Sequence, residues 1–155
     1  YTTYLGGFDP LVSREHIGAN PRKFLGIIMD LNGIQYYAPM SSPKSKHTSL
    51  NPKTLDIYKI DEGKLGIVNL NNMIPVPPQA VIAFDISDIK DEKYKLLLTE
   101  QARLFRRDEI KIVRKANVLY NKVGQLDSSN PLKKRCCDFK MLEQKALDYV
   151  DALNP

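Results

Sequence analysis

Asn32-Gly33 stands between two runs of strand-forming residues and restricts the fold more than any other pair in the chain. Both residues tolerate the positive φ that a two-residue type I′ turn demands, so the pair predicts a β-hairpin. Its arms are Phe24–Leu31 (FLGIIMDL) and Ile34–Met40 (IQYYAPM). The return arm runs directly into Ser41-Ser42-Pro43-Lys44-Ser45-Lys46-His47, a switch from apolar residues to hydroxyls, cations and an imidazole. A rigid strand that ends in an exposed loop is a good mount for a reactive group.

Downstream, the polar segment 42–52 contains prolines and predicts a loop. Leu55–Ile60 and Leu65–Leu70 read as short strands, Pro75-Val76-Pro77-Pro78 breaks regular structure, and Ala80–Asp85 reads as a buried strand. The pattern changes near Asp91. From Tyr94 to Val123 apolar residues recur at helical spacing, interrupted at Arg106-Arg107-Asp108-Glu109, which fits one long bent helix or two helices. Asp127–Pro131 reads as a loop, and a last helix is expected from Asp138 as N-cap to Val150. Strands first and helices later predict an α+β fold: a small, strongly bent antiparallel sheet or barrel with helices packed on it. At 155 residues the chain is expected to form a single domain, 1–155.

Lys and Arg outnumber Asp and Glu 23 to 18, a net charge of +5 that suits an anionic partner, nucleic acid first. No run approaches the roughly 18 apolar residues of a membrane span, and no basic-then-apolar segment opens the chain, so a cytoplasmic location is expected. The two cysteines, Cys136 and Cys137, are neighbours, poorly placed for a disulfide and too few for a zinc site. They read as reduced thiols, one of them buried beside Phe139. There is neither βαβ alternation nor a glycine-rich phosphate loop, which argues against nucleotide-dependent enzymes; no cofactor is expected.

Taken singly, the residues of the 41–47 stretch are ambiguous. Ser41 and Ser42 could donate to a phosphate or cap a turn. Lys44 and Lys46 could hold a phosphate or lie solvated. His47 could exchange protons or be inert. Together they are what metal-free phosphoryl transfer on RNA requires, because RNA supplies its own 2′-hydroxyl nucleophile. The protein must stabilise charge at the phosphate, which suits serine and lysine, and move protons, which suits histidine. The acidic residues are scattered away from these cations, so no metal site is expected. A Ser-His-Asp hydrolase is disfavoured, since no Gly-x-Ser-x-Gly elbow surrounds Ser42.

The stretch Ala38-Pro39-Met40-Ser41-Ser42-Pro43-Lys44, with His47 following, resembles the signature loop of the ToxN/AbiQ toxins, endoribonucleases of type III toxin–antitoxin and phage abortive-infection systems. Further segments agree in order and spacing: Tyr1-x-x-Tyr4-Leu5, Asn20–Ile27, Leu65–Pro75 and Cys137–Lys145. The resemblance spans nearly the whole chain. It implies a fold similar to the MazF/Kid-type toxins, a compact β-barrel core decorated by helices. It also implies metal-independent cleavage that leaves 2′,3′-cyclic phosphate and 5′-hydroxyl ends. The implied partner is a small repetitive RNA, processed by the toxin, then held as its inhibitor in a closed ring-like assembly; cellular or phage RNA would be the substrate. By position, Ser42 would be the residue on which activity most depends, Ser41 a retained hydroxyl, and Lys44 the stabiliser of phosphate charge, with His47 also matching.

An inhibitor RNA needs a broad basic face. The candidates are Arg22 and Lys23 beside the hairpin, and Lys44, Lys46 and Lys53 around the loop. Arg103, Arg106, Arg107, Lys111, Arg114 and Lys115 on the helices and Lys133-Lys134-Arg135 complete them, each run being equally readable as a solvated face. Tyr36, Tyr37 and Tyr58 could stack on bases or pack; Asn20, Asn69 and Asn72 could read base edges or satisfy turns. Two other readings share these features: a module that captures a small RNA without cutting it, and a MazF-like toxin neutralised by a protein.

Overall fold

The computed structural model describes residues 1–13 and 26–153. The hairpin forms where Asn-Gly places it. Strand β1, Gly26–Leu31, pairs antiparallel with β2, Ile34–Ser41, in a register running from Leu31↔Ile34 to Gly26↔Pro39. Asn32 and Gly33 have φ of 57° and 83°, the left-handed pair that a type I′ turn needs. The Asp30 carboxylate accepts from the Gly33 N–H at 2.9 Å and closes the turn.

The downstream strands are very short. β3 is Ile57–Lys59, β4 Ile67–Asn69 and β5 Ile74–Pro75. The five-stranded antiparallel sheet runs β1-β2-β4-β3, with β5 on β2. β2 is the hub. It pairs with β1 as far as Pro39, with β5 at Tyr36 and Tyr37, and with β4 at Met40 and Ser41. Among the described residues the sheet stays open, with β1 and β3 at its ends, so the barrel expectation is corrected. Strands of two or three residues, separated by 3₁₀ turns at Ile60–Gly63 and Leu70–Asn72, are too short to close one.

Two further expectations change. The 80–85 segment is not a buried strand: a 3₁₀ turn covers Pro78–Ala80, and Ile82 beyond it is 93% exposed. Pro75, Pro77 and Pro78 remove the donors that would start a ladder there. The 42–52 segment contains one helical turn, α2, Ser45–Ser49; helix α1, Thr2–Leu5, is one residue shorter. Polar composition alone does not forbid a turn that closes locally, here through the His47 N–H onto the Lys44 carbonyl at 2.9 Å.

The helical half resolves into α3, Glu92–Gln125, and α4, Phe139–Leu153. α3 is one continuous helix capped by Asp91, whose carboxylate accepts from the Tyr94 N–H at 3.0 Å. Its buried stripe runs through Gln101, Leu104, Asp108, Ile112, Ala116, Leu119 and Val123. Of the charged residues that interrupt the sequence pattern, only Asp108 turns inward. Asp138 caps α4 as expected, accepting from the Met141 N–H at 3.1 Å. α3, α4 and β2 meet at Tyr36, which is wholly buried edge-on to Tyr120 and Phe139. Glu143 accepts there from the Tyr36 and Tyr120 hydroxyls at 2.8 and 2.6 Å. Cys136 and Cys137 are free thiols, both buried, and burial pushes the Cys136 thiol up to about 12. No described helix is long and apolar enough to cross a membrane.

Candidate active site

The sequence candidates Ser41, Ser42, Lys44 and His47 come from the end of β2 and the turn of α2. Ser41 is the last rung of the ladder, opposite Ile67. Its Oγ accepts from the Asn69 side-chain amide at 2.9 Å, and the same nitrogen donates to the Pro39 carbonyl at 3.2 Å. From there Ser42, Pro43, Lys44, Ser45 and Lys46 form an exposed ridge. A hydroxyl and two ammonium groups therefore face solvent together at the rim of a sheet.

His47 lies beneath that ridge. Its residue is 2% exposed, and its Nδ1 has no hydrogen-bond partner. Burial lowers its pKa first, and the charges of Lys44 and Lys46 lower it further, so the imidazole is neutral at pH 7. It lies under the loop, whereas Ser42 and Lys44 are exposed to solvent.

The bed of the loop is the turn between β3 and β4. Gly66, at φ 104°, lies so close that a Cβ there would come within 2.3 Å of the Ser41 carbonyl oxygen. Gly63, at φ 94°, does the same to the His47 carbonyl oxygen, at 2.5 Å. Ahead of Gly63, Asp61 and Glu62 hold left-handed φ of 46° and 54°, which costs on the order of 1 kcal/mol each for residues with a Cβ. Lys59 Nζ donates to the carbonyls of Thr48 and Leu50 at 2.7 and 3.0 Å, tying down the far end of α2. Sequence reading passed over Lys59, Gly63 and Gly66; two glycines flanking a polar turn between strands were the available signal.

The basic residues divide by what holds them. Lys53, Arg106, Arg114 and Lys134 are exposed. Arg103 pairs with Glu100 at 2.9 Å on the outer face of α3. Arg107 and Lys111 both sit on buried Asp108, at 2.7 and 3.2 Å, and the Arg107 guanidinium foremost holds that carboxyl well below its ordinary range. Tyr58 also bonds Asp108, and burial first, then that bond, pushes its hydroxyl up to about 12. Lys115 is half-buried, donates to the Pro52 carbonyl at 3.3 Å, and has its pKa lowered by burial. Lys133 donates to the Leu126 carbonyl at 3.0 Å. Arg135 is held by Asp56 at 2.9 Å and by the Pro131 carbonyl at 3.1 Å. Asn20, Arg22 and Lys23 lie outside the described residues. Of the residues weighed for base reading, Tyr36 packs in the core, and the Asn69 and Asn72 amides are engaged internally, the latter on the Leu11 carbonyl at 2.7 Å.

Residues 1–147 match the family of the toxin ToxN, type III toxin–antitoxin system. The chain belongs to that family. Endoribonuclease ToxN of Pectobacterium atrosepticum is 32% identical over 158 residues, covering 96% of this chain and 88% of its own length. The solved structure of AbiQ, a lactococcal anti-phage endoribonuclease of the type III toxin–antitoxin system, superimposes with a TM-score of 0.79 at 25% identity, covering 97% of this chain and 93% of that one. A second solved structure, from a bacterial antiviral system regulated by a processed non-coding RNA, gives 0.78 at 31% identity over 96% and 93%. The likeness to these two solved structures thus extends over 96% and 97% of the chain.

Proposed function

We propose that the chain is one endoribonuclease domain that cuts RNA at specific sequences, without a metal, at the Ser41–Lys44 ridge. The 2′-oxygen of a ribose attacks the adjacent phosphorus. The 2′-O–P bond forms, the P–O5′ bond breaks, and the 2′-hydroxyl proton is transferred, net, to the leaving 5′-oxygen. The ends are a 2′,3′-cyclic phosphate and a 5′-hydroxyl. Ser42 donates to a non-bridging oxygen as charge builds in the transition state, Lys44 offsets that charge, and Ser41 aligns the rim through Asn69. Buried His47 supports the loop. The observation that carries this reading is the exposure of Ser42 and Lys44 side by side on a rim whose backbone is packed from below.

The same reading assigns the partner. A small repetitive RNA, processed by the chain and then retained, inhibits it within a closed protein–RNA assembly. Cellular or phage RNA in the cytoplasm is the substrate. The support is the family, the structural neighbour from a bacterial antiviral system that a processed non-coding RNA regulates, and the exposed cations flanking the ridge. The bent antiparallel sheet with outer helices is what an opened relative of MazF/Kid-type toxins would carry.

Ser42→Ala tests the proposal. Mapping of 5′-hydroxyl ends in cellular RNA, with EDTA present, is expected to show new ends at one short motif with the parent chain and none with the variant, while a small RNA still co-purifies with both. Cleavage that survives Ser42→Ala would refute the site. A small RNA that co-purifies without any cleavage by the parent chain would leave a capture module. Inhibition that persists after ribonuclease treatment of the complex would point to a protein antitoxin.

A further inference from the structure

A ridge that stabilises a transition state must be held to fractions of an ångström, yet Ser42–Ser49 is a polar segment whose only regular structure is one helical turn. The ties that hold it come from one stretch, residues 59–69. Asn69 takes the start of the loop through the Ser41 Oγ. Gly66 and Gly63 let the β3–β4 turn approach the Ser41 and His47 carbonyls more closely than any residue with a Cβ allows. Lys59 takes the end: its ammonium bridges the Thr48 and Leu50 carbonyls at 2.7 and 3.0 Å. These are acceptors at the C-terminal end of the turn, which lack partners within it. The Thr48 hydroxyl donates to the carbonyl of Ser45, the first residue of α2, at 2.8 Å, a bond within the turn that leaves the Thr48 and Leu50 carbonyls to Lys59.

We propose that Lys59 is a positioning residue for cleavage. It fastens α2 to β3 and thereby fixes Lys44, at the N-cap of the same turn, and Ser42 next to it; it does not hold RNA. The inference rests on the reading of Ser42 and Lys44 as the reacting face. It differs from the usual role of a lysine in an RNA-binding protein, because its donors are already directed at backbone oxygens inside the fold.

The test uses the purified full chain and a synthetic oligonucleotide spanning its strongest mapped cleavage site. Lys59→Met is expected to lower kcat between about 10- and 100-fold and to leave KM within about twofold. Lys59→Arg, which keeps donors for the carbonyls, is expected to restore most of kcat. In a Ser42→Ala background, Lys59→Met is also expected to speed amide hydrogen exchange at residues 45–49 while α3 stays protected. A raised KM with unchanged kcat would overturn the proposal and make Lys59 an RNA contact. Unchanged kcat and unchanged exchange would overturn it outright. If Lys59→Met loses protection throughout α3, Lys59→Gln, which retains a shorter donor, is read in the same two assays by the same criteria. Failure of the parent reading is separately visible, since it would appear as cleavage by Ser42→Ala itself.

Discussion

The 41–47 loop and the Lys133–Arg135 turn are both short basic runs, and the fold treats them in opposite ways. In the loop, the Ser41 hydroxyl is held by Asn69, the backbone is packed against Gly63 and Gly66, and Lys59 ties the carbonyls just beyond it, while the cations Lys44 and Lys46 are left exposed. In the 3₁₀ turn Lys133–Arg135, two of the three cations hold the fold itself: Lys133 reaches the Leu126 carbonyl, and Arg135 reaches Asp56 and Pro131. A charge run in sequence is thus either left to solvent or used as a set of struts. The difference lies in whether acceptors from other segments converge on the charged atoms.

The sharpest way to break this comparison is to exchange the roles by mutation. Lys44→Ala is expected to reduce the cleavage rate by roughly 10² to 10³-fold, the usual effect of losing one preorganised charge-stabilising group. Lys133→Ala is expected to leave the rate within about twofold. The two sites should also separate in salt. Lys44→Ala combined with Lys46→Ala is expected to reduce the slope of log affinity for inhibitor RNA against log salt by about 1.4, two phosphate contacts on a single strand. Lys133→Ala combined with Arg135→Ala is expected to leave it unchanged. Equal slopes for both pairs, measured by filter binding on a Ser42→Ala background, would erase the distinction.

A smaller effect falls on stability. Asp56 accepts from Thr54 and Arg135, and its main-chain carbonyl accepts the Asn71 N–H at 2.9 Å, so it joins β3 to the chain ahead of α4. Asp56→Ala is expected to lower unfolding free energy by about 1–2 kcal/mol, given that the Arg135 end is half solvated. Urea denaturation checks this, with Lys46→Ala as the control that should shift nothing. A loss confined to Lys46→Ala would invert the assignment of strut and surface.

The parts of the fold that were legible in the sequence are those fixed locally. Asn32-Gly33 specified its hairpin because a type I′ turn is set by two residues; Asp138 marked a helix start because an N-cap is a side chain binding backbone two or three residues on, whereas Asp91 stood out only as the place where the pattern changes. The α3 stripe was legible apart from two buried polar residues: Gln101, whose side-chain amide donates to the Leu65 carbonyl at 2.7 Å, and Asp108, which Arg107, Lys111 and Tyr58 surround. What was not legible depends on distant segments. Nothing near His47 says that the β3–β4 turn will cover it, and nothing near Lys59 says that its ammonium will find Thr48 and Leu50. The chain 80–85 carries a strand's composition, yet the prolines before it leave it outside the sheet. For the candidate site, residue types brought Ser41, Ser42, Lys44 and His47 forward together, while tertiary packing separates buried His47 from exposed Ser42 and Lys44.

Arg107 and Lys111 stand between the two regions compared above: their side chains are 60% and 74% exposed, yet both are anchored on a buried carboxylate. Asp108 gives the smallest and most specific prediction. Its folded pKa is depressed below the ordinary 3.8, by Arg107 first and against the opposing effect of burial. A carboxyl depressed in the folded state contributes stability that is fully present above its unfolded pKa and is lost as pH falls through that value toward the folded one. Between about pH 5 and pH 3 the parent chain should therefore lose stability more steeply than Asp108→Asn, which carries no titrating group there. At pH 7 the variant should be the less stable of the two, because Tyr58, Arg107 and Lys111 lose their charged acceptor. Paired urea curves at pH 7, 5 and 3 make the comparison. Parallel pH dependence in the two proteins would mean that Arg107 and Lys111 are as free as Lys44, and that α3 presents them to RNA without any anchoring from below.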